Sequence, residues 1–162
     1  MQDYQIRVLF VCMGNICRSP AAEAIFKNLI AQHGLEDVIH VDSAGTHASS
    51  SGNSSDPRAH KSARNKGYDI SFTRSRKVNI NDLDEFDYVL AMDQENLDYL
   101  LLKSNEDNQN KLELFLNYHP DREGEDVPDP YYRDQESFDH AIELIETACW
   151  ELLRTLRSRH NL

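Results

Sequence analysis

The chain has 162 residues and a formal net charge of −11 at pH 7, because 28 acidic side chains outnumber 17 basic ones. This length predicts one domain spanning residues 1–162, and the acidic balance argues against a nucleic-acid-binding protein, whose binding face would be basic. The apolar runs are of strand length and the cysteines are odd in number, so a membrane span, a secretion signal and a disulfide framework are not expected, whereas a reducing, cytoplasmic location is.

The predicted elements alternate between strand and helix along the whole chain. Apolar patterning predicts strands over residues 6–11, 38–42, 88–92 and 112–116, and helices over residues 19–33, 57–66, 95–103 and 137–157. Such alternation is typical of a parallel sheet wrapped by helices on both faces. We therefore predict an α/β fold built on a four-stranded parallel sheet.

The last predicted helix has the clearest amphipathic pattern. Its apolar residues recur at three- and four-residue spacing, which predicts one buried stripe. These residues are Phe138, Ala141, Ile142, Ile145, Cys149, Leu152 and Leu156. Cys149 is therefore expected in the core, and Trp150 is expected to be a packing residue because nothing nearby in sequence suggests a site.

The first predicted strand runs into Cys12-Met13-Gly14-Asn15-Ile16-Cys17-Arg18-Ser19, a segment suited to bind an oxyanion. A buried strand that ends in a tight loop can turn successive backbone N–H groups onto one tetrahedral anion, and Gly14 is expected to supply the unusual backbone angles. Ser19 is expected to N-cap the next helix with Pro20 at its first position, which directs the positive end of the helix dipole into the loop. Arg18 adds a fork of donors matched to two phosphate oxygens.

Cys12 gives this anion-binding loop a nucleophile. A thiol beside a helix N-terminus and an arginine is commonly held as the thiolate, which is the reactive form. A cysteine that ends a core strand is more often a small buried hydrophobic residue, but Gly14, Arg18 and Ser19 at these offsets favour catalysis. For Cys17, two roles stay open: a packing residue, or a resolving thiol for Cys12.

Two stretches without regular periodicity are expected to border the site. Residues 43–55 follow the second strand and are rich in Ser and Gly, and residues 117–133 contain several prolines. In open parallel sheets, ligands sit beyond the carboxyl ends of the strands. The histidines lack metal-ligand spacing and the Gly-rich nucleotide-binding loop is missing from the sequence, so neither a metal nor another cofactor is expected.

Four segments together resemble the low-molecular-weight protein tyrosine phosphatases, and the resemblance covers essentially the whole chain. They are the run from Val8 to Ala24, Asp42-Ser43-Ala44-Gly45-Thr46, Asp56-Pro57-Arg58-Ala59 and Asp129-Pro130-Tyr131-Tyr132. A Cys-x5-Arg pattern alone is loose, but with Asp-Pro-Tyr-Tyr far downstream it is highly specific. The resemblance implies a flavodoxin-like fold of the phosphotyrosine phosphatase I type, and hydrolysis of phosphotyrosine and aryl phosphates through a phosphocysteine.

The resemblance also implies roles for individual residues. The catalytic residues are Cys12 as the nucleophile, Arg18, and Asp129 as the general acid and then the general base. The substrate-binding residues are Met13, Gly14, Asn15, Ile16, Cys17 and Tyr131, and the supporting residues are Ser19 and Ser43. An isolated Asp before Pro is usually a turn residue. Here the catalytic role is favoured, because protonating a leaving oxygen is worth about a hundred- to ten-thousandfold in rate and Tyr131 suits a wall for an aromatic substrate.

Two positions depart from the family pattern. Thr73 stands where relatives carry a His that completes the hydrogen-bond network around Asn15, so that support is expected to be weaker or rewired. Ser49 stands where relatives commonly carry an aromatic residue opposite Tyr131, so half of the aromatic clamp is expected to be missing. Whether Tyr131 or Tyr132 is itself phosphorylated, as in some relatives, stays open.

Three other functions compete with phosphotyrosine hydrolysis. In related proteins phosphoarginine hydrolysis goes with Thr in place of Ile16, and arsenate reduction needs additional thiols near residues 80–90, where this sequence has none. A non-enzymatic phosphate-binding module requires neither Cys12 nor Asp129. We therefore expect a monomeric, redox-regulated enzyme that acts on tyrosine-phosphorylated proteins, with neither nucleic acid nor a membrane as a partner.

Overall fold

The computed structural model describes residues 3–48 and 52–162, so the expectation for Ser49 lies outside the described residues. The strands are β1 (Ile6–Cys12), β2 (Ile39–Gly45), β3 (Tyr88–Ala91) and β4 (Leu112–Leu114). The helices are α1 (Arg18–Gln32), α2 (Pro57–Asn65), α3 (Asp82–Glu85), α4 (Gln94–Lys103) and α5 (Gln135–His160). The strands form one four-stranded parallel sheet in the order β2-β1-β3-β4, which confirms the predicted α/β class.

The main differences from the sequence prediction concern β2, β4 and one short helix. β2 continues to Gly45, inside the stretch predicted as a loop, because pairing with the buried strand β1 outweighs the weak strand propensity of Ser and Gly. β4 ends at Leu114, short of its predicted end, where a 3-10 turn over Phe115–Tyr118 begins. The sequence prediction lacks α3, since a helix of 4 residues is too short to show a helical period.

Alternate residues of β1 face opposite sides of the sheet, and helices cover both sides. Val8 and Phe10 pack with α1 and α5, whereas Leu9 and Val11 pack with α3 and α4. The Phe10 ring lies edge-on to Phe26 at a centroid distance of 5.9 Å. With both faces covered, the loops after the strand carboxyl ends are where this fold presents chemistry.

The stripe predicted for the last helix is confirmed, because all of its apolar residues are buried in α5. Cys149 lies in the core with its Sγ 3.8 Å from the carbonyl oxygen of Ala22 on α1. Trp150 is 46% exposed, and its ring packs on the surface edge-on to His33. Within the described residues, every helix is too short or too polar to cross a bilayer. The same residues contain no cluster of His, Cys, Asp or Glu suited to a metal ion.

Two leucines on different helices test the assignment of the core. Leu29 on α1 is 1% exposed, so Leu29→Ala should lower the free energy of unfolding by about 2–5 kcal/mol because it leaves a cavity. Leu102 on α4 is 85% exposed, so the matched control Leu102→Ala should change it by less than about 0.5 kcal/mol. Urea denaturation followed by circular dichroism measures both. Equal losses would contradict the assignment of this α1 face to the core.

Candidate active site

The loop of residues 13–17 joins β1 to α1, and neighbouring segments hold its carbonyl groups from outside. The hydrogen bonds run from Thr46 N–H to Cys12 O at 2.9 Å, from His47 N–H to Met13 O at 2.8 Å, and from Asp56 N–H to Ile16 O at 2.7 Å. In a trans peptide the N–H that follows a carbonyl points the opposite way, so the next N–H groups point away from these neighbours. The loop therefore presents N–H groups to the cavity that it lines, as an oxyanion-binding loop requires.

Asn15, rather than Gly14, carries the unusual backbone angles of this loop. Asn15 has a φ of 56°, in the left-handed region, whereas φ at Gly14 is not positive, so the expectation for Gly14 was wrong. The Asn15 side chain offsets the backbone strain. Its amide oxygen accepts from Arg76 N–H at 2.9 Å, and its amide nitrogen donates to Ser19 Oγ at 2.8 Å and Ser43 Oγ at 3.0 Å.

The segment around Arg76 explains how the loop is supported without the histidine that relatives carry. Thr73 is buried and its hydroxyl donates to the carbonyl of Ile70 at 2.8 Å. The Asn15 amide oxygen is bound instead by the backbone N–H of Arg76, whose carbonyl accepts from Gly45 N–H at 2.9 Å. The network is therefore rewired, with a backbone group in place of a side chain.

Gly45 at the end of β2 allows the loop to lie directly against the sheet. A Cβ atom on Gly45 would stand 2.7 Å from the carbonyl oxygen of Met13 and 3.1 Å from the backbone nitrogen of Asn15. Both contacts are with backbone, which cannot move away without breaking the hydrogen bonds just described. Sequence reasoning missed this requirement, because it comes from close approach and not from a positive φ.

Cys12 is the last residue of β1, and its side chain is buried beneath the loop. Its Sγ lies 3.0 Å from Ser19 Oγ and accepts from the backbone N–H of Asn15 at 3.2 Å. Ser19 therefore does not cap α1 as predicted. The helix begins at Arg18 with Cys17 at the N-cap position, because the Ser19 hydroxyl is engaged by Cys12 and Asn15.

Arg18 is buried, and carboxylates hold it on two sides. Its Nη1 donates to Asp93 Oδ2 at 2.7 Å and to the carbonyl of Val127 at 2.9 Å, and its Nη2 lies 3.6 Å from Asp129 Oδ2. Burial by itself lowers the pKa of the Arg18 guanidinium, but the facing Cys12 sulfur and the Asp93 carboxylate outweigh burial and raise it. The guanidinium is thus a permanent positive charge in a buried position.

Asp93 is a site residue that sequence reasoning missed. It directly follows the predicted third strand, so its place at the carboxyl edge of the sheet was available as a signal. Its second oxygen, Oδ1, accepts from Asn96 N–H at 2.8 Å and caps α4. The same carboxylate therefore fixes both a helix end and the direction of the Arg18 fork.

The loop lines a cavity of about 320 Å³. Its lining residues are Cys12, Met13, Gly14, Ile16, Cys17, Arg18, Asp129, Tyr131 and Tyr132. The structure thus brings the three expected catalytic residues together with most of the expected substrate-binding residues. Asn15 stands apart from this lining, and Ser19 and Ser43 lie behind the loop with it.

Asp129 and Tyr131 enter the cavity from the loop after β4. Asp129 Oδ1 accepts from the backbone N–H of Tyr131 at 3.1 Å, which orients the carboxylate. The Arg58 guanidinium lies 5.5 Å from the centre of the Tyr131 ring and 4.5 Å from that of Phe138, so it holds this wall against α5. Asp56 in turn binds Arg58 through two hydrogen bonds from its side chain, at 3.1 and 2.9 Å.

Cys17 lines the cavity but differs chemically from Cys12. Burial raises the pKa of the Cys17 thiol far above its ordinary value, and the negative charge of Asp56 raises it further. Cys17 therefore stays protonated near neutral pH and does not compete with Cys12 as a nucleophile.

Comparisons with known proteins agree over nearly the full chain. The family model described as low molecular weight phosphotyrosine protein phosphatase matches residues 7–161. The chain is 41% identical over 157 residues to the low molecular weight protein-tyrosine-phosphatase YfkJ of Bacillus subtilis, covering 97% of this chain and 99% of that protein.

Solved structures also match over nearly the full chain. A crystal structure of a protein tyrosine phosphatase from Entamoeba histolytica, with Hepes in the active site, matches with a TM-score of 0.90 and 37% identity over 96% of this chain and 99% of that one. The YwlE arginine phosphatase from Geobacillus stearothermophilus matches with a TM-score of 0.82 and 27% identity over 95% of this chain and 94% of that one.

The close approach of the loop to Gly45 yields a test. Gly45→Ala should lower the free energy of unfolding by about 1–3 kcal/mol, because the added methyl group meets backbone atoms. Displacement of the loop should also weaken binding of inorganic phosphate about tenfold, as seen by calorimetric titration. The control is Gly34→Ala, where φ is 68° and the new methyl group has open space around it. It should cost about 1–2 kcal/mol of stability and leave phosphate affinity unchanged.

Proposed function

The chain belongs to the low molecular weight phosphotyrosine protein phosphatase family, and from that membership we propose that Cys12 carries its chemistry as a phosphocysteine. The protein is a protein tyrosine phosphatase, a hydrolase of phosphate monoesters. The residue assignment rests on one observation: Cys12, Arg18 and Asp129 line the same cavity. Nucleophile, cation and acid thus face the same point from different segments of the chain.

Cys12 attacks phosphorus as the thiolate. The hydrogen bond from Asn15 N–H and the contact with the Ser19 hydroxyl supply donors to the sulfur, and the N-terminus of α1 adds a favourable dipole. Attack breaks the bond between phosphorus and the phenolic oxygen and forms the S–P bond. The inward N–H groups stabilise the equatorial oxygens, which is the main requirement in phosphoryl transfer.

Arg18 binds the phosphate and aligns it. Because Asp93 and Val127 hold Nη1, the remaining edge of the fork is directed to the cavity, where Nη2 already lies near Asp129. A planar fork held in this way can bind two phosphate oxygens at once. The buried position strengthens this attraction, because little water screens it.

Asp129 donates a proton to the leaving phenolate oxygen in the first step. In the second step the ionised Asp129 takes a proton from the water that attacks phosphocysteine, which releases phosphate and restores Cys12. The hydrogen bond from Tyr131 N–H to Asp129 Oδ1 leaves the other carboxylate oxygen directed toward Arg18 and the cavity. Holding one oxygen positions the other for proton transfer.

The depth of the cavity favours phosphotyrosine in proteins as the substrate. The Cys12 side chain is 2% exposed, so the phosphate must reach it on a long, flat side chain. Tyr131 and Tyr132 form one wall, with their rings edge to face at 4.8 Å. Ile16 lines the cavity, whereas the related phosphoarginine enzymes carry Thr there, which disfavours phosphoarginine.

The cysteines bear on two other parts of the proposal. The described residues hold Cys12, Cys17 and Cys149 as unpaired thiols, which suits a reducing cytoplasm. Cys149 is enclosed by the core, so it cannot serve as the further thiol that arsenate reduction needs. We further propose that residues 1–162 act as one monomeric domain, without metal or other cofactor and without nucleic-acid or membrane partners.

Three substitutions separate the proposed roles. Cys12→Ser should abolish turnover of aryl phosphates and retain phosphate binding, whereas Arg18→Ala should lose both. Asp129→Ala should slow turnover about a hundred- to ten-thousandfold, with smaller losses for substrates whose leaving groups are already acidic. Steady-state kinetics over a series of aryl phosphates, with phosphate as inhibitor, measures all three. Near-normal turnover by Cys12→Ser would falsify the covalent mechanism.

Reversible oxidation is the second test, because Cys12 and Cys17 line one cavity. Peroxide should oxidise the Cys12 thiolate to a sulfenic acid, and the Cys17 thiol should then displace water from that sulfur to form a disulfide. Activity should return with dithiothreitol in the wild type and in the control Cys149→Ala. Cys17→Ser should start equally active but lose activity permanently. Equal recovery in all three proteins would reduce Cys17 to a packing residue.

A further inference from the structure

Glu23 is a buried carboxylate to which the mechanism above gives no role. It lies on α1 beneath the loop, 6% exposed, in a position that is costly for an unpaired charge. Its Oε1 accepts a hydrogen bond from Ser43 Oγ at 2.6 Å. Its Oε2 lies 2.7 Å from the Nζ of Lys27, one helical turn further along α1. Each carboxylate oxygen therefore has its own partner.

Lys27 reaches Glu23 from the protein surface. Its side chain is 40% exposed, and its ammonium lies 5.1 Å from the centre of the Phe72 ring. The ring and the carboxylate together hold the ammonium in one place. A surface cation is thereby connected to the inner side of the loop.

Hydrogen bonds continue from Glu23 to the Cys12 sulfur, and the Asn15 amide nitrogen donates toward both ends of this chain. The Ser43 hydroxyl must donate to Glu23, because a carboxylate has no proton to give. Its oxygen is then left to accept from the Asn15 amide nitrogen at 3.0 Å. The second hydrogen of that nitrogen goes to Ser19 Oγ at 2.8 Å.

The Asn15 amide is oriented by a further hydrogen bond on its oxygen side. The backbone N–H of Arg76 donates to the Asn15 amide oxygen at 2.9 Å, so the amide cannot turn over. With its oxygen accepting from Asn15, Ser19 has one proton and two acceptors in range, Cys12 Sγ at 3.0 Å and the Ala44 carbonyl at 3.4 Å. The shorter contact and the negative charge of a thiolate favour donation to Cys12.

We propose that Glu23 and Lys27 are positioning residues for the phosphatase reaction, because they hold the Ser43 hydroxyl as an acceptor for Asn15, whose other amide hydrogen orients Ser19 to donate to the Cys12 thiolate. Glu23 acts by accepting from Ser43, and Lys27 acts by holding the Glu23 side chain in place. This inference rests on the proposed role of Cys12 as the nucleophile. Neither residue touches the substrate.

Glu23→Gln is the decisive substitution, because glutamine keeps the shape and changes the donors. The Lys27 ammonium should attract the glutamine oxygen, which turns the NH₂ group toward Ser43. Ser43 would then accept from both the glutamine and Asn15, and its own buried proton would lose the acceptor that Glu23 supplies, which draws the hydroxyl away from its present orientation toward Asn15. Removing the ammonium with Lys27→Met lets the glutamine turn over and accept from Ser43 again.

These relations give an expected order of activity. Glu23→Gln should lower kcat/KM for an aryl phosphate about tenfold, as expected for a disturbed hydrogen bond to a charged group. It should slow alkylation of Cys12 by iodoacetamide at mildly acidic pH by a similar factor. Lys27→Met alone should lower both about two- to threefold, since its ion pair is partly exposed, and Lys27→Arg should restore them. The double variant Glu23→Gln/Lys27→Met should be more active than Glu23→Gln alone.

A purely structural role would not reproduce this order. If Glu23 only supported packing, the double variant would be the worst of the set and its losses would follow its melting temperature. The control is Lys61→Met, which removes an exposed lysine from α2 and should leave both rates unchanged. An unchanged alkylation rate in Glu23→Gln overturns the inference, and so does a double variant no better than the single one. If wild-type Cys12 resists alkylation, or Cys12→Ser turns over, the proposed function fails instead.

Discussion

The site depends first on the hydrogen bonds that hold the carbonyl groups of Cys12 and of the loop of residues 13–17 outward, away from the cavity. The backbone N–H groups of Thr46 and His47, just beyond β2, donate hydrogen bonds to the carbonyl oxygens of Cys12 and Met13. These bonds hold the loop along the end of the neighbouring strand. A loop of this kind left in water would turn its carbonyls and N–H groups alike to solvent. Parallel pairing of β1 with β2 up to Gly45 removes that freedom before any substrate arrives. Preorganised N–H groups act without reorganisation at the moment of reaction.

The parallel sheet explains why residues far apart in sequence meet at one site. The strands end at the same edge, and each contributes a residue near its carboxyl end or in the segment that follows it. β1 gives Cys12, β2 gives Ser43, the residue after Met92 beyond β3 is Asp93, and the loop after β4 carries Asp129. The helices serve to fix these ends, since Asp93 caps α4 while it holds Arg18.

Sequence patterns correctly predicted the features that follow from apolar periodicity and residue spacing. They failed for features that depend on contacts between residues far apart in sequence. The buried stripe of α5 and the strand before Cys12 follow from apolar periodicity, which any tertiary context must respect. Asn15, and not Gly14, adopts the left-handed backbone angle, and its side chain is held by hydrogen bonds to three other segments. Those contacts are between residues far apart in sequence, so the sequence pattern did not indicate them. The cap at Ser19 failed for the same reason, since a hydroxyl that suits a cap suits a thiolate equally well.

Electrostatics at the site are set locally, in spite of the overall charge of −11. Charges on the far surface are screened over roughly 8 Å at physiological salt, whereas Arg18 is buried among Cys12, Asp93 and Asp129. Asp93 accepts a short hydrogen bond from Arg18, whereas the Asp129 Oδ2 atom lies 3.6 Å from Arg18 Nη2. An incoming phosphate dianion therefore competes with Asp129 for the same guanidinium. In the proposed mechanism, that competition releases Asp129 Oδ2 from Arg18 and leaves it facing the leaving oxygen in the cavity.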